Sequence, residues 1–113
     1  MGEPPSKRSA DLDQGFAELR ASYRRALPEH LERLAAAVET ARAAPSTTAL
    51  EGAFHAAHRL KGTSGSFGFV ALATELEPIE EILDRARRAG APLTEEEAAR
   101  ISAALARARA LRV

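Results

Sequence analysis

Apolar residues recur along the chain at the spacing of an α-helical turn. In the first and longest stripe, seven steps cover the 25 residues from Phe16 to Ala41, close to the roughly 3.6 residues of one turn. Pro28 lies within this stripe and removes one backbone donor. Because the stripe keeps its phase on both sides of Pro28, we expect one long first helix with a kink at this proline. The stripe consists of Phe16, Leu19, Tyr23, Leu27, Leu31, Leu34, Val38 and Ala41.

Capping signals predict where the first helix begins and ends. Asp11 followed by Gln14 has the spacing of a capping box, which places the start at Asp11. Ala43, Ala44 and Pro45 mark its end. Residues 1–10 carry no periodic apolar pattern and include two consecutive prolines. We therefore expect a disordered leader over 1–10, followed by one domain over 11–113.

Two further stripes predict a second and a third helix. Thr48 with Glu51 has the pattern of a capping box at the start of the second helix, and a glycine cluster that ends at Gly68 closes it. Gly90 closes the third helix, in which Pro78 is expected to produce a kink. The second stripe is Leu50, Phe54, Ala57, Leu60 and Phe67, and the third is Phe69, Leu72, Leu76, Ile79, Leu83 and Ala86.

A capping box of Thr94 and Glu97 starts a fourth amphipathic helix, which carries Ile101 and Leu105. The chain contains 26 alanines but only four Phe and one Tyr, which favours helices over strands. Four amphipathic helices with short connections bury their stripes most economically against one another. The predicted fold is therefore an all-α, antiparallel four-helix bundle with a kinked first helix.

The charge balance narrows the range of partners. Sixteen basic and sixteen acidic residues give a formal net charge of zero, so we expect no nucleic-acid binding. No apolar run approaches the roughly 18 to 20 residues that span a bilayer, and the chain has no cysteine for a disulfide or a thiolate metal site. We expect a cytoplasmic monomer without membrane contact.

The chemically informative segment lies near the end of the second helix. On a helix, His58 shares one face with Lys61, Gly62 and Gly65, which follow it by three, four and seven residues. Each glycine disfavours the helix by about 1 kcal/mol relative to alanine, and neither packing nor solvation calls for them there. Glycine beside a reactive side chain leaves room for another macromolecule. Apart from Lys7, Lys61 is the only lysine among fourteen arginines, and its compact charge suits a phosphoryl group.

These residues also have interpretations that do not involve a reactive site. A single histidine on a helix is usually an ordinary surface residue. His55 and His58 could both bind a metal ion, but two nitrogens do not close a zinc site, and only Glu51 lies at a suitable spacing for a third ligand. We therefore expect no metal and no cofactor. A purely structural bundle does not explain the glycines in the polar strip.

The segment from His58 to Gly62 resembles the signature of the histidine-containing phosphotransfer (HPt) domains of bacterial two-component signalling. The extension Gly65-Ser66-Phe67-Gly68-Phe69 looks especially like the phosphotransfer domain of chemotaxis-type histidine kinases. The resemblance implies that His58 is phosphorylated and that Lys61 supports the phosphoryl group. In the chemotaxis-type branch a glutamate on the next helix bonds the histidine ring, and counting without gaps places it at Glu80.

The same resemblance implies a phosphocarrier, not an enzyme, that relays a phosphoryl group to or from a receiver-domain aspartate. Its partners would be a response-regulator receiver domain and a histidine kinase, with His55, Arg59, Gly62 and Gly65 at the partner contact. A magnesium ion would come with the partner. The alternative is a module that binds a receiver or kinase surface without being phosphorylated.

Overall fold

Four α-helices form the regular structure of the computed structural model, which describes residues 5–113, with side chains from residue 8 onward. α1 spans Pro5–Ala43, α2 Thr47–Ser66, α3 Val70–Ala89 and α4 Glu95–Ala110. The short connections 44–46, 67–69 and 90–94 make consecutive helices antiparallel neighbours. α1 packs against α2 and α4, and α3 packs against α2 and α4, so the bundle closes. The predicted all-α four-helix bundle is confirmed.

The first helix begins earlier than the sequence pattern indicates. Residues 5–10, expected to be a disordered leader, are helical, and residues 1–4 lie outside the described residues. Pro5 suits the first helical position, because its φ is already helical and its missing N–H has no intrahelical acceptor there. The capping box predicted at Asp11 is wrong, since this residue lies inside α1. Gln14 instead donates to Glu18 Oε1 at 3.3 Å.

α1 is also longer than the helices that cover it. Its 39 residues correspond to roughly 58 Å, whereas no other helix exceeds 20 residues, or roughly 30 Å. The buried part of its stripe runs from Leu27 to Ala41, but Phe16 and Leu19 are 49% and 62% exposed. The prediction that the whole stripe faces the core is therefore wrong at its N-terminal end. Periodicity records an amphipathic helix and carries no information on the length of its neighbours.

Both prolines inside helices are accommodated without ending them. α1 runs through Pro28 and α3 runs through Pro78. Each proline removes one backbone hydrogen bond, which the remaining bonds and the packing of the buried stripe outweigh. The continuity predicted for these two helices is confirmed, and the kinks stay predictions.

The N-cap of the second helix lies two residues earlier than expected. Ser46, with extended backbone angles, is the N-cap and its hydroxyl accepts a hydrogen bond from the Ala49 N–H at 3.0 Å. The capping box predicted for Thr48 and Glu51 is therefore wrong. Three consecutive hydroxyl residues follow Pro45, and each could cap a helix. The first of them does so.

The core lies between the four apolar stripes, and the stripes of α2 and α3 supply half of it. These two helices are held in register by buried side chains, which fixes what their exposed edges bring together. No helix among the described residues is long and apolar enough to cross a membrane. The buried apolar residues are Leu50, Ala53, Phe54, Ala57 and Leu60 on α2 and Leu72, Leu76, Ile79, Ile82, Leu83 and Ala86 on α3.

The predicted capping box of α4 is present in full. Thr94 Oγ1 accepts from the Glu97 N–H, and Glu97 Oε1 accepts from the Thr94 N–H, both at 3.0 Å. The Thr94 N–H is the main reason that the pKa of the Glu97 carboxyl lies below its ordinary value. Partial burial opposes this effect, and the guanidinium of Arg85 on α3, bonded to Glu97 Oε2, adds to it. Glu97 thus links the start of α4 to α3.

This lowered pKa predicts an acid-dependent loss of stability. A carboxyl with a depressed pKa in the folded state stabilises the protein above its unfolded pKa, and the contribution is lost as the pH falls through the folded pKa. Glu97→Gln should lower the free energy of unfolding by about 1 kcal/mol at neutral pH, with a smaller difference from the original chain in acid. Urea unfolding followed by circular dichroism at several pH values measures this difference.

Glu96→Gln is the matched control, since Glu96 is exposed on the same turn and has no part in the capping box. It should leave the pH dependence nearly unchanged. Equal pH profiles for the two variants would contradict the role assigned to Glu97.

Candidate functional site

His58 lies on the exposed side of α2, with 65% of its side chain accessible. Lys61 is 34% exposed, and Gly62 and Gly65 are exposed as well. The four residues form one face of α2, which we call the His58 face. The buried Leu60 lies on the opposite side of the helix and packs into the core. The structure therefore brings together all four residues that the helical spacing placed on one strip.

Glu80 of α3 reaches across to the His58 ring. Its Oε1 lies 3.1 Å from His58 Nδ1, although the two residues are 22 positions apart in the chain. The Glu80 side chain is only 17% exposed, so a largely buried carboxylate meets a largely exposed imidazole. The continuation of α3 through Pro78 keeps Glu80 on the edge that faces α2.

The second oxygen of Glu80 faces Lys61. Lys61 Nζ lies 3.3 Å from Glu80 Oε2, at ion-pair distance, while this oxygen is buried and accepts no hydrogen bond from a described residue. The carboxylate thus has one oxygen committed to His58 and one in the field of the ammonium group. Lys61 remains partly exposed and keeps donors that can turn toward an anion outside the helix.

The contact with Glu80 selects one protonation form of the imidazole. A carboxylate can only accept hydrogen bonds, so His58 Nδ1 carries the proton in this contact. In a neutral ring, Nε2 then keeps its lone pair. Because the ring is exposed, this unprotonated nitrogen is available to an electrophile on another molecule.

Gly62 and Gly65 do not relieve any crowding within the protein. A Cβ atom built on either residue would meet no atom within 4 Å among the described residues. Neither has the left-handed backbone that favours glycine, because the positive φ values belong to Gly68 and Gly90. The fold therefore gives no reason for the two glycines, and their effect is to keep the surface beside His58 flat.

The two remaining predicted contact residues lie at the borders of the His58 face. His55, 60% exposed, has its Nε2 3.3 Å from Glu51 Oε2 on the same helix. Arg59 is exposed and lines a groove between α1 and α2 with Tyr23 and Thr63. His55 is therefore close to His58, whereas Arg59 lies toward α1 and away from Glu80.

Phe54 is a neighbour of His58, although its position in the apolar stripe predicts only a role in the core. The Phe54 ring stacks on the His58 ring, with 5.7 Å between the ring centroids and 18° between their planes. Phe54 lies four residues before His58, so the helical spacing could have indicated the contact. The sequence does not show that the two planes are nearly parallel.

The predicted absence of a metal centre stays a prediction. Among the residues that the structure describes, no group of three or more His, Cys, Asp or Glu side chains could hold a metal ion. His55 and His58 are instead each paired with a glutamate.

Comparison with known proteins assigns the chain to a family. The model of the Hpt domain matches residues 18–111, which include α2, α3, α4 and most of α1. No curated protein and no solved structure matches the chain significantly. The matched region contains the His58 face and Glu80 and leaves out residues 1–17 and the last two residues. The chain thus belongs to the Hpt domain family, whose members serve phosphotransfer in two-component signalling.

Proposed function

We propose that this protein is a phosphocarrier that accepts a phosphoryl group on His58 and relays it to or from an aspartate of a receiver domain. The observation that carries the proposal is the contact between the exposed His58 and the largely buried Glu80, with Lys61 at the same carboxylate. The family supports phosphotransfer in general. The choice of His58 rests on the exposure and the partners of this side chain.

In the proposed reaction, the imidazole of His58 is the nucleophile, and this chain contributes no cofactor. The lone pair of His58 Nε2 attacks the phosphorus of the receiver's aspartyl phosphate, and the N–P bond forms. The bond between phosphorus and the carboxylate oxygen breaks, and the aspartate leaves with the electron pair as a carboxylate. The Nδ1 proton stays in the hydrogen bond to Glu80 throughout. The reverse reaction returns the phosphoryl group to the aspartate.

Lys61 would support the phosphoryl group after it reaches His58. Phosphoryl transfer depends mainly on positioning and on stabilisation of the charge on the phosphoryl oxygens. A charged hydrogen bond from a partly exposed ammonium group contributes about 0.5 to 3 kcal/mol. Lys61 follows His58 by one helical turn, which puts its charge on the same side of α2 as the ring.

The flat surface at Gly62 and Gly65 would receive the receiver domain. Direct transfer requires the aspartyl phosphate to come within bonding distance of Nε2, so the partner's backbone must approach α2 closely. Side chains at positions 62 and 65 would project into this space. The proposed carrier has no turnover of its own, because each transfer consumes one partner's phosphoryl group and supplies another.

Phosphorylation of His58 is tested with a small donor that needs no partner. Phosphoramidate transfers its phosphoryl group directly to histidine nitrogen and releases ammonia. The original chain should gain one acid-labile, base-stable phosphoryl group, observed by intact mass, and His58→Gln should gain none. Circular dichroism should show unchanged helix content, since His58 is largely exposed.

His55→Gln is the control, because His55 is an exposed histidine on the same helix and one turn away. It should retain the labelling of the original chain. Undiminished labelling of His58→Gln would exclude His58 as the phosphorylated residue.

The docking role of the glycines predicts opposite effects on stability and transfer. Gly62→Ala and Gly65→Ala should each stabilise α2 by up to about 1 kcal/mol, because the added methyl groups meet no atoms and alanine favours the helix. The donor is a receiver domain that has been phosphorylated with acetyl phosphate and that transfers its phosphoryl group to the unsubstituted protein. Both variants should accept the phosphoryl group from this receiver more slowly. Labelling by phosphoramidate should stay unchanged, since this donor is small.

Gly52→Ala provides the control for these two variants. Gly52 is also exposed on α2, with open space around its Cβ position, but it points about 120° away from His58 around the helix. It should stabilise the helix without any effect on transfer. A receiver that donates equally fast to all three variants would rule out docking at Gly62 and Gly65.

A further inference from the structure

Phe54 provides a buried support beneath an exposed ring. Its side chain is 9% exposed, and the His58 ring stacks nearly parallel to its ring, with 5.7 Å between the centroids. Phe54 also meets the ring of His55 edge-on, with 5.2 Å between centroids. The Phe54 ring is therefore close to both histidines of α2, but only the His58 ring is nearly parallel to it.

Arg87 of α3 holds Phe54 from the other helix. Its guanidinium carbon lies 3.9 Å from the centroid of the Phe54 ring. Arg87 is fixed there by Glu51 Oε1 at 3.3 Å and Asp84 Oδ1 at 2.7 Å. Its Nε is buried and has no hydrogen-bond partner among the described residues, as expected for a guanidinium that packs against a ring face.

A single contact at Nδ1 does not determine the orientation of the imidazole. The ring can tilt around its hydrogen bond to Glu80, and the direction of Nε2 changes with that tilt. A flat contact with a second ring restricts the tilt, because stacking favours parallel planes. Glu80 at the edge and Phe54 at the face together define both the tautomer and the plane of the ring.

We propose that Phe54, held in place by Arg87, is a positioning residue that fixes the plane of His58 and so aims Nε2 at the incoming phosphoryl group. The proposal rests on the phosphocarrier function of His58. Positioning matters in this reaction, since the attacking nitrogen must approach phosphorus in line with the leaving oxygen. The guanidinium of Arg87 acts only through Phe54.

Two variants test the stack. Phe54→Leu keeps an apolar side chain in the core and removes the ring, and Arg87→Met keeps the length of the side chain and removes the guanidinium. The proton signals of the His58 ring should show the upfield shift of a stacked aromatic in the original chain. That shift should disappear in Phe54→Leu and decrease in Arg87→Met.

The rate of labelling by phosphoramidate is measured on the same samples, under conditions where denaturant titration shows that each variant is folded. It should fall about tenfold in Phe54→Leu and less in Arg87→Met. Arg88→Met is the matched control, since Arg88 shares Asp84 with Arg87 and is 72% exposed. In Arg88→Met, both the proton signals of the His58 ring and the labelling rate should match those of the unsubstituted protein.

The outcomes separate this proposal from the one on which it rests. If Phe54→Leu lacks the upfield shift but is labelled at the original rate, the positioning role is wrong, whereas His58 remains the phosphorylated residue. If Phe54→Leu does not fold, Arg87→Met replaces it in the test: a decreased upfield shift with an unchanged labelling rate would contradict the positioning role. If the original chain itself is not labelled at His58, the phosphocarrier function is contradicted. The ring signals then still show whether the stack exists.

Discussion

The site depends on one contact between two helices, that of the Glu80 carboxylate with His58 Nδ1. The acceptor at Glu80 favours the proton on His58 Nδ1 and leaves the lone pair of His58 Nε2 free. The contact exists only because the buried stripes of α2 and α3 fix the register of the two helices. The pair Arg87 and Glu51 crosses the same interface two turns away and belongs to the same antiparallel register. The geometry of the contact is therefore a consequence of core packing, although the His58 ring itself is exposed.

The surface around His58 favours access over local stability. The two glycines weaken α2 by about 1 kcal/mol each relative to alanine, and nothing in the fold requires them. The buried stripe below them, with Leu60 and Ala57, retains the helix in spite of this loss. Such a division suits a protein that receives a partner: the inner face of α2 maintains the structure, and the outer face leaves room.

Much of this arrangement could be predicted from the sequence, because it follows from local spacing. The number of helices, the capping box at Thr94 and the strip that starts at His58 all depend on residues a few positions apart. Glu80 is different: no local pattern links it to His58, and only the resemblance to HPt domains indicated it. The exposure of Phe16 and the packing of Arg87 on Phe54 could not be predicted, since both depend on how far and in what register neighbouring helices extend.

The central claim concerns the proton of the His58 ring, and nitrogen-15 NMR observes it directly. In the original chain, at a pH where the imidazole is neutral, we expect Nδ1 to carry the proton and Nε2 to show the signal of an unprotonated nitrogen. Glu80→Ala should shift the population toward the form with the proton on Nε2, because the acceptor for Nδ1 is gone. A proton on Nε2 of His58 in the unsubstituted protein would contradict the role assigned to Glu80.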